Sequence, residues 1–403
     1  MYHLNLQEIG INAPMAFFKE SSASQIKTGV TKLFLSNFRN YQNLEITTEL
    51  APIVLYGTNG SGKTNLLEAL SFLIPGRGLR RTKLSDITNN GEASSHWALC
   101  ANISTNGREF QVGTGLEINS ETNREKRIVK IDGKMAKSQS DLGDVITAVW
   151  LTPEMDRLFR GGSASSRRRF LDRLVYAYDP EHVSRLSSYE NALKQWLFIV
   201  RSEKQDKIWL SSLEETLAEK SVSIAAARKE TVARLNHIAQ ENSPEFPIAY
   251  LSLDGMVEEF LDRCSAIEAE DKVKQFFNSW RKKAVESQYV ADGVHRTDIN
   301  AQYVQKKIAA SNCSTGEQKA ILISIILAQA RSMVRVLGKA PILLLDEIVA
   351  HLDENRRKAL FSEICSLNLQ AWLTGTEIET FEDLKNSGQF LKVDNAQIKY
   401  DKK

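Results

Sequence analysis

The sequence predicts an α/β fold of mixed sheets with flanking helices, built from two separated stretches of chain around a mostly helical insert. Three observations carry this prediction. The apolar run "APIVLYG" leads into the glycine-rich turn "GTNGSGKT" and then an apolar-faced helix, a strand-turn-helix order. A second apolar strand, "PILLLDE", ends in two acids roughly 280 residues later, so two strands of one sheet are separated by most of the chain. Between them, from about residue 164, the hydrophobic period changes to steps of three and four.

Composition limits the alternatives. The 403 residues carry a formal charge of +2, which excludes a uniformly basic nucleic-acid binder and leaves only local basic patches to consider. An apolar share of 42% with 25% charged residues suits globular units that bury a core. No run approaches the ~18 apolar residues of a membrane span, and no secretory signal opens the chain. A soluble, cytoplasmic protein without a membrane partner is expected. Cys100, Cys264, Cys313 and Cys365 lie far apart with no C-x-x-C spacing, so they are expected to be reduced thiols rather than zinc ligands or disulfides.

The elements follow in order. Residues 1–28 contain the polar run "KESSASQIKTG" and are expected to form a loosely ordered leader. Leu33, Leu35 and Phe38 alternate with polar residues, turn at Arg39-Asn40-Tyr41 and continue, as two strands of a half-buried sheet do. The helix "TNLLEALSFLI" is expected to stop at Pro75-Gly76. A second sheet region has "WALCANIST", "EFQVGTGLEI" and "KRIVKIDGKMA", with a two-residue hairpin turn at Asp132-Gly133. The strand "VITAVWL" closes this half. Asp179-Pro180 then opens a helix with an apolar seam of Val183, Leu186, Tyr189, Leu193, Trp196 and Val200. A second helix carries Leu210, Leu213, Leu217 and Ile224, and a third runs through "KVKQFFNSWRKKAVES". Helices of about four to seven turns are expected, too short for coiled-coil arms, with a strand and turn at "FPIAYLSLDG". The expected division is a leader 1–28, a first head segment 29–160, an insert 161–288 and a second head segment 289–403.

The chemistry sits in the two outer segments. Gly57, Thr58, Asn59, Gly60, Ser61, Gly62, Lys63 and Thr64 fit G-x-x-x-x-G-K-[ST] at every position. Glycines let the backbone curl so that N–H groups face phosphates, Lys63 neutralises charge, and Thr64 offers a hydroxyl to Mg²⁺, so ATP with Mg²⁺ is the expected ligand. Asp346 is placed to hold the metal and Glu347 to face an attacking water as general base, with Lys63 as the other catalytic group. In "SNCSTGEQKAIL", Ser314, Thr315, Gly316 and Glu317 open an apolar helix. Ser314 and Glu317 make a capping box, which leaves Gly316 unexplained.

This arrangement, with "CSTGEQKA" ahead of "ILLLDE" and "AHLDENRR" after it, resembles the ABC-type P-loop ATPase heads. In them a Ser-x-Gly signature caps the nucleotide of a second subunit, which implies a trans contact from Ser314 to Glu317 and an ATP-dependent homodimer. Within that superfamily the chain resembles the RecF family in "LFLSNFRNYQNLEI", "YGTNGSGKTNLLEALSFL", "GRGLRRTK", "LTPEMDRLFRGGSASSRRRFLDRL", "DGVHRTDI" and "LLLDEIVAHLDENRR". The resemblance implies a nucleotide contact from Arg39, dimer communication through Asp353, and sensing positions at Glu154 and Thr374. It implies ATP-driven dimerisation on duplex DNA near single-strand gaps, weak DNA-stimulated hydrolysis that resets the switch, and cooperation with RecO and RecR in recombinase loading. Where that family usually has Gly-Pro-His-Arg-Asp-Asp, this chain has Val294 and Thr297 in place of the proline and first aspartate.

Three basic clusters are candidates for DNA phosphates: Arg77, Arg80, Arg81 and Lys83; Arg167, Arg168 and Arg169; and Arg296. The second cluster can equally pair with carboxylates of the insert. No aromatic interleaving suggests base stacking, so double-stranded DNA and its single-strand junctions are expected through backbone contacts. Two rivals stay open: another chromosome-maintenance ATPase, which would need long coiled-coil arms, and a transporter ATPase subunit, which would not carry so large an insert.

Overall fold

The computed structural model describes residues 27–401 apart from 90–95, 120, 121, 123, 203–205, 242 and 287–290, so the expected leader falls almost wholly outside the described residues. In chain order β1 is Gly29–Phe38, β2 Tyr41–Thr47, β3 Ile53–Tyr56 and α1 Lys63–Ser71. β4 is Ala98–Thr105, β5 Arg108–Ile118, β6 Glu125–Ile131 and β7 Lys134–Met135. The short α2, Leu142–Val145, precedes β8, Ala148–Leu151. Then follow α3 Ala164–Tyr176, α4 His182–Val200, α5 Lys207–Ile238, β9 Ala249–Asp254, α6 Met256–Arg263 and α7 Ala266–Glu286. The last part has β10 Asp298–Tyr303, β11 Ile308–Ala309, α8 Thr315–Leu337, β12 Ile342–Leu345, α9 Glu354–Ser366, β13 Ala371–Gly375, β14 Gln389–Asp394 and β15 Gln397–Tyr400.

These strands make three sheets. One is antiparallel with order β2-β1-β4-β5-β6-β7, and its β6–β7 turn has Asp132 and Gly133 at positive φ (49° and 77°), as a two-residue hairpin requires. The central sheet has order β15-β14-β3-β13-β12-β8 and is parallel except for its β14–β15 hairpin edge. The third is β11-β10-β9. Thus β3 and β12, far apart in sequence, lie on either side of β13.

The unbroken apolar run of β12 follows from where that sheet sits. Ile342 and Leu344 join the core shared with the antiparallel sheet and α1, while Leu343 and Leu345 join the core on the other face, which holds α3, α8 and α9. Alternate side chains therefore reach two cores, and neither face can be polar. α8 is long and apolar enough to cross a membrane by composition, but 78% of its apolar window is buried inside the protein, where it is the central helix of the second core.

The insert has a core of its own, built from α4, α6, α7 and the first half of α5. Trp196 meets Phe277 edge to face at 5.4 Å, and the buried Glu214 accepts from Trp196 Nε1 at 3.0 Å and pairs with Arg281 at 2.6 Å. Two findings differ from the expected helices. α5 has 32 residues, ~48 Å or about nine turns, because no glycine or proline interrupts it and its apolar face serves two cores in succession. Leu210, Leu213 and Leu217 pack within the insert, whereas Val232, Leu235 and Ile238 pack into the head. α1 ends at Ser71 rather than at Pro75-Gly76. The carbonyls beyond it, of Phe72, Ile74 and Gly76, are taken by the buried guanidinium of Arg127, which removes any need for further helical turns.

Packing also qualifies the division into segments. α3, the second half of α5 and β9 lie in residues 161–288 but pack with the head, and β9 pairs with β10. The joint is polar. Arg228 of α5 bonds Asp172 of α3 and the carbonyl of Val294, while Thr297 donates to Glu258 of α6 at 2.9 Å. Val294 and Thr297, the two departures from the family pattern, are both fully buried here: one fills the insert core and the other is part of the joint. His295 bonds Tyr189 at 2.6 Å, and burial with Arg296 and Arg168 nearby lowers its imidazole to about 4.

Candidate nucleotide site and basic cleft

The carboxyl ends of neighbouring parallel strands gather the predicted site, the place where α/β sheets collect ligands. Residues 57–62 curl directly after β3, with φ of 150° at Gly57, 79° at Gly60 and 120° at Gly62. Two of these glycines are also needed sterically. A Cβ on Gly57 would lie 2.1 Å from the carbonyl oxygen of Val393, and one on Gly62 would lie 2.6 Å from the Tyr41 hydroxyl. Thr58, Asn59 and Gly60 form the exposed tip, and a Cβ on Gly60 would touch nothing. Lys63 Nζ donates to the carbonyls of Gly57 and Thr58 at 2.7 and 2.8 Å. Burial lowers its ammonium pKa, opposed by Glu347 and Asp346.

Asp346 follows β12 and is 4% exposed. Its Oδ1 accepts from Thr64 Oγ1 and from Thr374 Oγ1, each at 2.9 Å. Burial lifts its carboxyl pKa, Glu347 adds to the rise, and the two hydroxyls act against it. Thr374 Oγ1 also accepts the backbone N–H of Glu347 at 2.8 Å. Glu347 has φ of 53°, unusual for a side-chain-bearing residue, so its backbone is held in place at a sharp turn after the strand. Thr64, Asp346, Thr374 and Glu347 therefore form one connected set. The fit to a magnesium nucleotide is good: a hydroxyl and a carboxylate in contact, a cationic amine beside them, and a buried Ser61 hydroxyl without a protein partner in the loop that would cradle phosphates.

The other predicted residues are placed as follows. Arg39 uses four of its five N–H groups within the chain, on buried Glu68 (2.7 and 2.9 Å), Thr82 and the carbonyl of Asp86, which leaves one Nη1 N–H outside this clamp for a nucleotide contact. Glu154 is exposed in the turn after β8, the strand beside β12. Asp353 caps α9 by accepting from the N–H of Arg356. Ser314 and Glu317 form the expected capping box, and Lys306 pairs with Glu317. That ion pair, with hydrogen bonds from Ser314, holds the Glu317 carboxyl at about 2. A Cβ on Gly316 would meet nothing within 4 Å, and its φ is not in the left-handed region.

Sequence reasoning missed three supports of the loop. The β14–β15 hairpin presses on it, with Ala396 N–H donating to the carbonyl of Ser61 at 3.0 Å. Asn40 Nδ2 donates to the same carbonyl at 3.3 Å, and its Oδ1 accepts from Asn65. Glu68, on the second turn of α1, ties Arg39 and Arg80 together. An acid five residues after the motif lysine, on the buried face of an otherwise apolar helix, is the signal that could have found it.

The basic clusters separate. Arg167 is bidentate on Asp298 at 2.6 to 2.7 Å, Arg168 donates to the carbonyl of Thr297, and Arg296 pairs with Asp292 on the surface. Arg77, Arg81 and Lys83 are exposed without an ion pair among the described residues. Among the described residues Arg169 bonds only the hydroxyls of Ser165 and Ser166. Arg77, Arg80, Arg81 and Arg169 share one cleft, so part of the second cluster joins the first.

Fold and site together define an ATPase head of the kind found in structural-maintenance-of-chromosomes proteins. The family model described as the RecF/RecN/SMC N terminal domain matches residues 29–399. Over 374 residues the chain is 40% identical to the DNA replication and repair protein RecF of Agrobacterium fabrum, covering 92% of this chain and 98% of that protein. With the RecF of Allorhizobium ampelinum the identity is 42%, covering 92% and 99%. The chain belongs to the RecF family. Its fold matches a solved structure of the recombination mediator protein RecF bound to ATP, in the RecFOR pathway, with a TM-score of 0.80 at 20% identity, covering 95% of this chain and all of that one. An Smc head bound to the C-winged helix domain of ScpA matches with a TM-score of 0.53 at 15% identity, covering 92% and 96%.

Proposed function

We propose that this RecF-family chain is an ATP-driven switch on DNA, working at single-strand gaps in recombinational repair. Gly57–Thr64 would cradle the phosphates of ATP, with Lys63 against their charge and Asn59 at the tip. Thr64 and Asp346 would hold Mg²⁺, which when bound supplies charge neutralisation for the transferred phosphoryl group. Glu347 would orient and deprotonate water, its backbone fixed through Thr374. Two copies would close so that Ser314–Glu317 of each faces the phosphates held by the other, with Asp353 and Glu154 reporting across the interface.

Gly316 is the observation that carries the two-copy reading. Nothing among the described residues needs a glycine there, by space or by φ, whereas a helix N-terminus that must approach a phosphate outside the chain does. The closed pair would set the exposed Arg77, Arg81 and Lys83 of both copies against duplex DNA, and slow, DNA-stimulated hydrolysis would release them. RecO and RecR are the proposed partners in recombinase loading, in the cytoplasm. Retention of duplex DNA measured with and without ATP tests this: the parent should hold DNA more tightly with ATP, and Lys63→Arg and Ser314→Arg should lose that gain. Equal ATP-dependent retention by both variants would contradict the proposal.

A further inference from the structure

Apart from the phosphate loop, the described residues enclose a second basic hollow, with a volume of about 470 Å³. Its walls are the loop after α1, strand β8 with the turn that follows, and α3. Arg77, Arg80, Arg81, Arg169 and Arg173 line it against a single carboxylate, Glu154. Arg80 is neutralised by Glu68. The other four arginines have no ion pair among the described residues, and Asp172, close to Arg81, is already taken by Arg228 and His182. So much positive charge in one concavity, unpaired among the described residues, is unusual.

The inner wall is also short of acceptors. Arg173 lies over the rings of Trp150 and Phe170, 4.3 and 5.3 Å from their centroids, and its Nη2 donates to the Trp150 carbonyl at 3.1 Å. Its Nε is buried without a partner. So are the indole Nε1 of Trp150, a residue only 8% exposed, and the hydroxyl of Thr147, both in the same wall. Unpaired buried donors are costly and rare; these three are closed off from the open space of the hollow, so the exposed guanidiniums of Arg77, Arg81 and Arg169 are what an arriving anion meets first. Burial, with Arg81 adding to it, brings the Arg173 guanidinium down to about 9, which an arriving anion would reverse.

We propose that this hollow binds a phosphomonoester, either the terminal phosphate of a nucleic-acid strand or that of a free mononucleotide, with Arg81, Arg169 and Arg173 as its cationic donors. A terminal dianion matches unneutralised arginines better than a backbone diester does, and while a duplex can lie across the exposed rim at Arg77 and Arg81, only a strand end or a small phosphomonoester fits down to Arg173. The proposal rests on the DNA-facing reading of the same arginines, but not on closure of two copies.

The test uses the full chain, titrated with adenosine monophosphate and with a short single strand that carries or lacks a terminal phosphate. The phosphorylated strand should bind more tightly than the unphosphorylated one. Arg81→Gln and Arg169→Gln, at exposed positions that leave the core intact, should each weaken phosphate-dependent binding about tenfold, the size of one lost charge-assisted hydrogen bond. Arg173→Lys should weaken it as well, and Lys63→Ala should leave it unchanged. Competition by adenosine monophosphate at comparable affinity would make the free nucleotide the source, and its failure to compete would make it the strand end. Equal binding of both strands with no binding of the monophosphate, or parent-like affinity in both glutamine variants, would overturn the proposal. Binding lost in Lys63→Ala alone would overturn it too, by returning the ligand to the phosphate loop. Failure of the switch itself reads out separately, as DNA retention indifferent to ATP.

Discussion

Thr374→Val tests the proposed catalytic geometry with a near-isosteric change. The hydroxyl is fully buried, donates to Asp346 at 2.9 Å and accepts the Glu347 N–H at 2.8 Å, so valine fills the space and removes both bonds. A buried donor left unpaired costs about 1–3 kcal/mol. At an unfolding entropy of ~2 cal/mol/K per residue, a chain of this length should melt roughly 1–3 °C lower. The larger effect should be on turnover. Glu347 sits at φ 53°, and the bond to Thr374 is what fixes that turn. A shift of about 1 Å in a catalytic carboxylate costs on the order of a hundredfold in rate. Steady-state ATP hydrolysis should therefore fall by about 10- to 100-fold while ATP binding persists, and Thr374→Ser should stay close to the parent. Turnover within twofold of the parent, at an unchanged melting temperature, would refute the role assigned to this hydroxyl.

Other outcomes follow from the same structure. Gly316→Ala should leave the single chain as stable or up to ~1 kcal/mol more stable by thermal melting, while Gly316→Arg should abolish ATP-dependent association in sedimentation. Arg127→Met leaves the carbonyls beyond α1 unpaired and should cost about 2–4 kcal/mol in denaturant unfolding, with weaker DNA binding as the loop at Arg77 loses its anchor. Glu317 has a folded pKa depressed to about 2, so its contribution is present above the ordinary carboxylate value near 4.5 and is lost as pH falls towards 2. Glu317→Gln should lack that part of the acid destabilisation in melting curves. In gel shifts across several salt concentrations, Arg81→Glu should weaken DNA binding more than Arg167→Glu, because Arg167 is already neutralised by Asp298.

The candidate site was legible because the chemistry proposed for it is written in contiguous residues. The turn 57–64 and the acids after β12 can be read locally, and an apolar strand ending in acids suffices to put them in one sheet. What pairs with what was not legible. Thr374 was singled out by resemblance, but that it touches both Asp346 and Glu347 depends on β13 lying between β3 and β12, a long-range fact. The arginines of "SSRRRFLD" look alike in sequence, yet a two-residue step, about half a helical turn, sends Arg167 to Asp298 and Arg169 into the cleft. Arg127 and Arg173 carried no signal at all: one lies in an alternating strand and the other in an amphipathic helix, and only tertiary packing buries them. The length of α5 was underestimated because its seam changes partners midway, which breaks the single periodicity on which the expectation relied.

The central claim is that each nucleotide site is completed by the signature of another copy. Lys63→Arg and Ser314→Arg chains, each of which should be inactive alone, can be mixed and assayed for ATP turnover and association. A heterodimer of the two contains one site with an intact Lys63 and an intact Ser314 from opposite chains, so the account predicts that activity returns on mixing and that ATP-dependent dimers reappear. A mixture as inactive and monomeric as its components would contradict it.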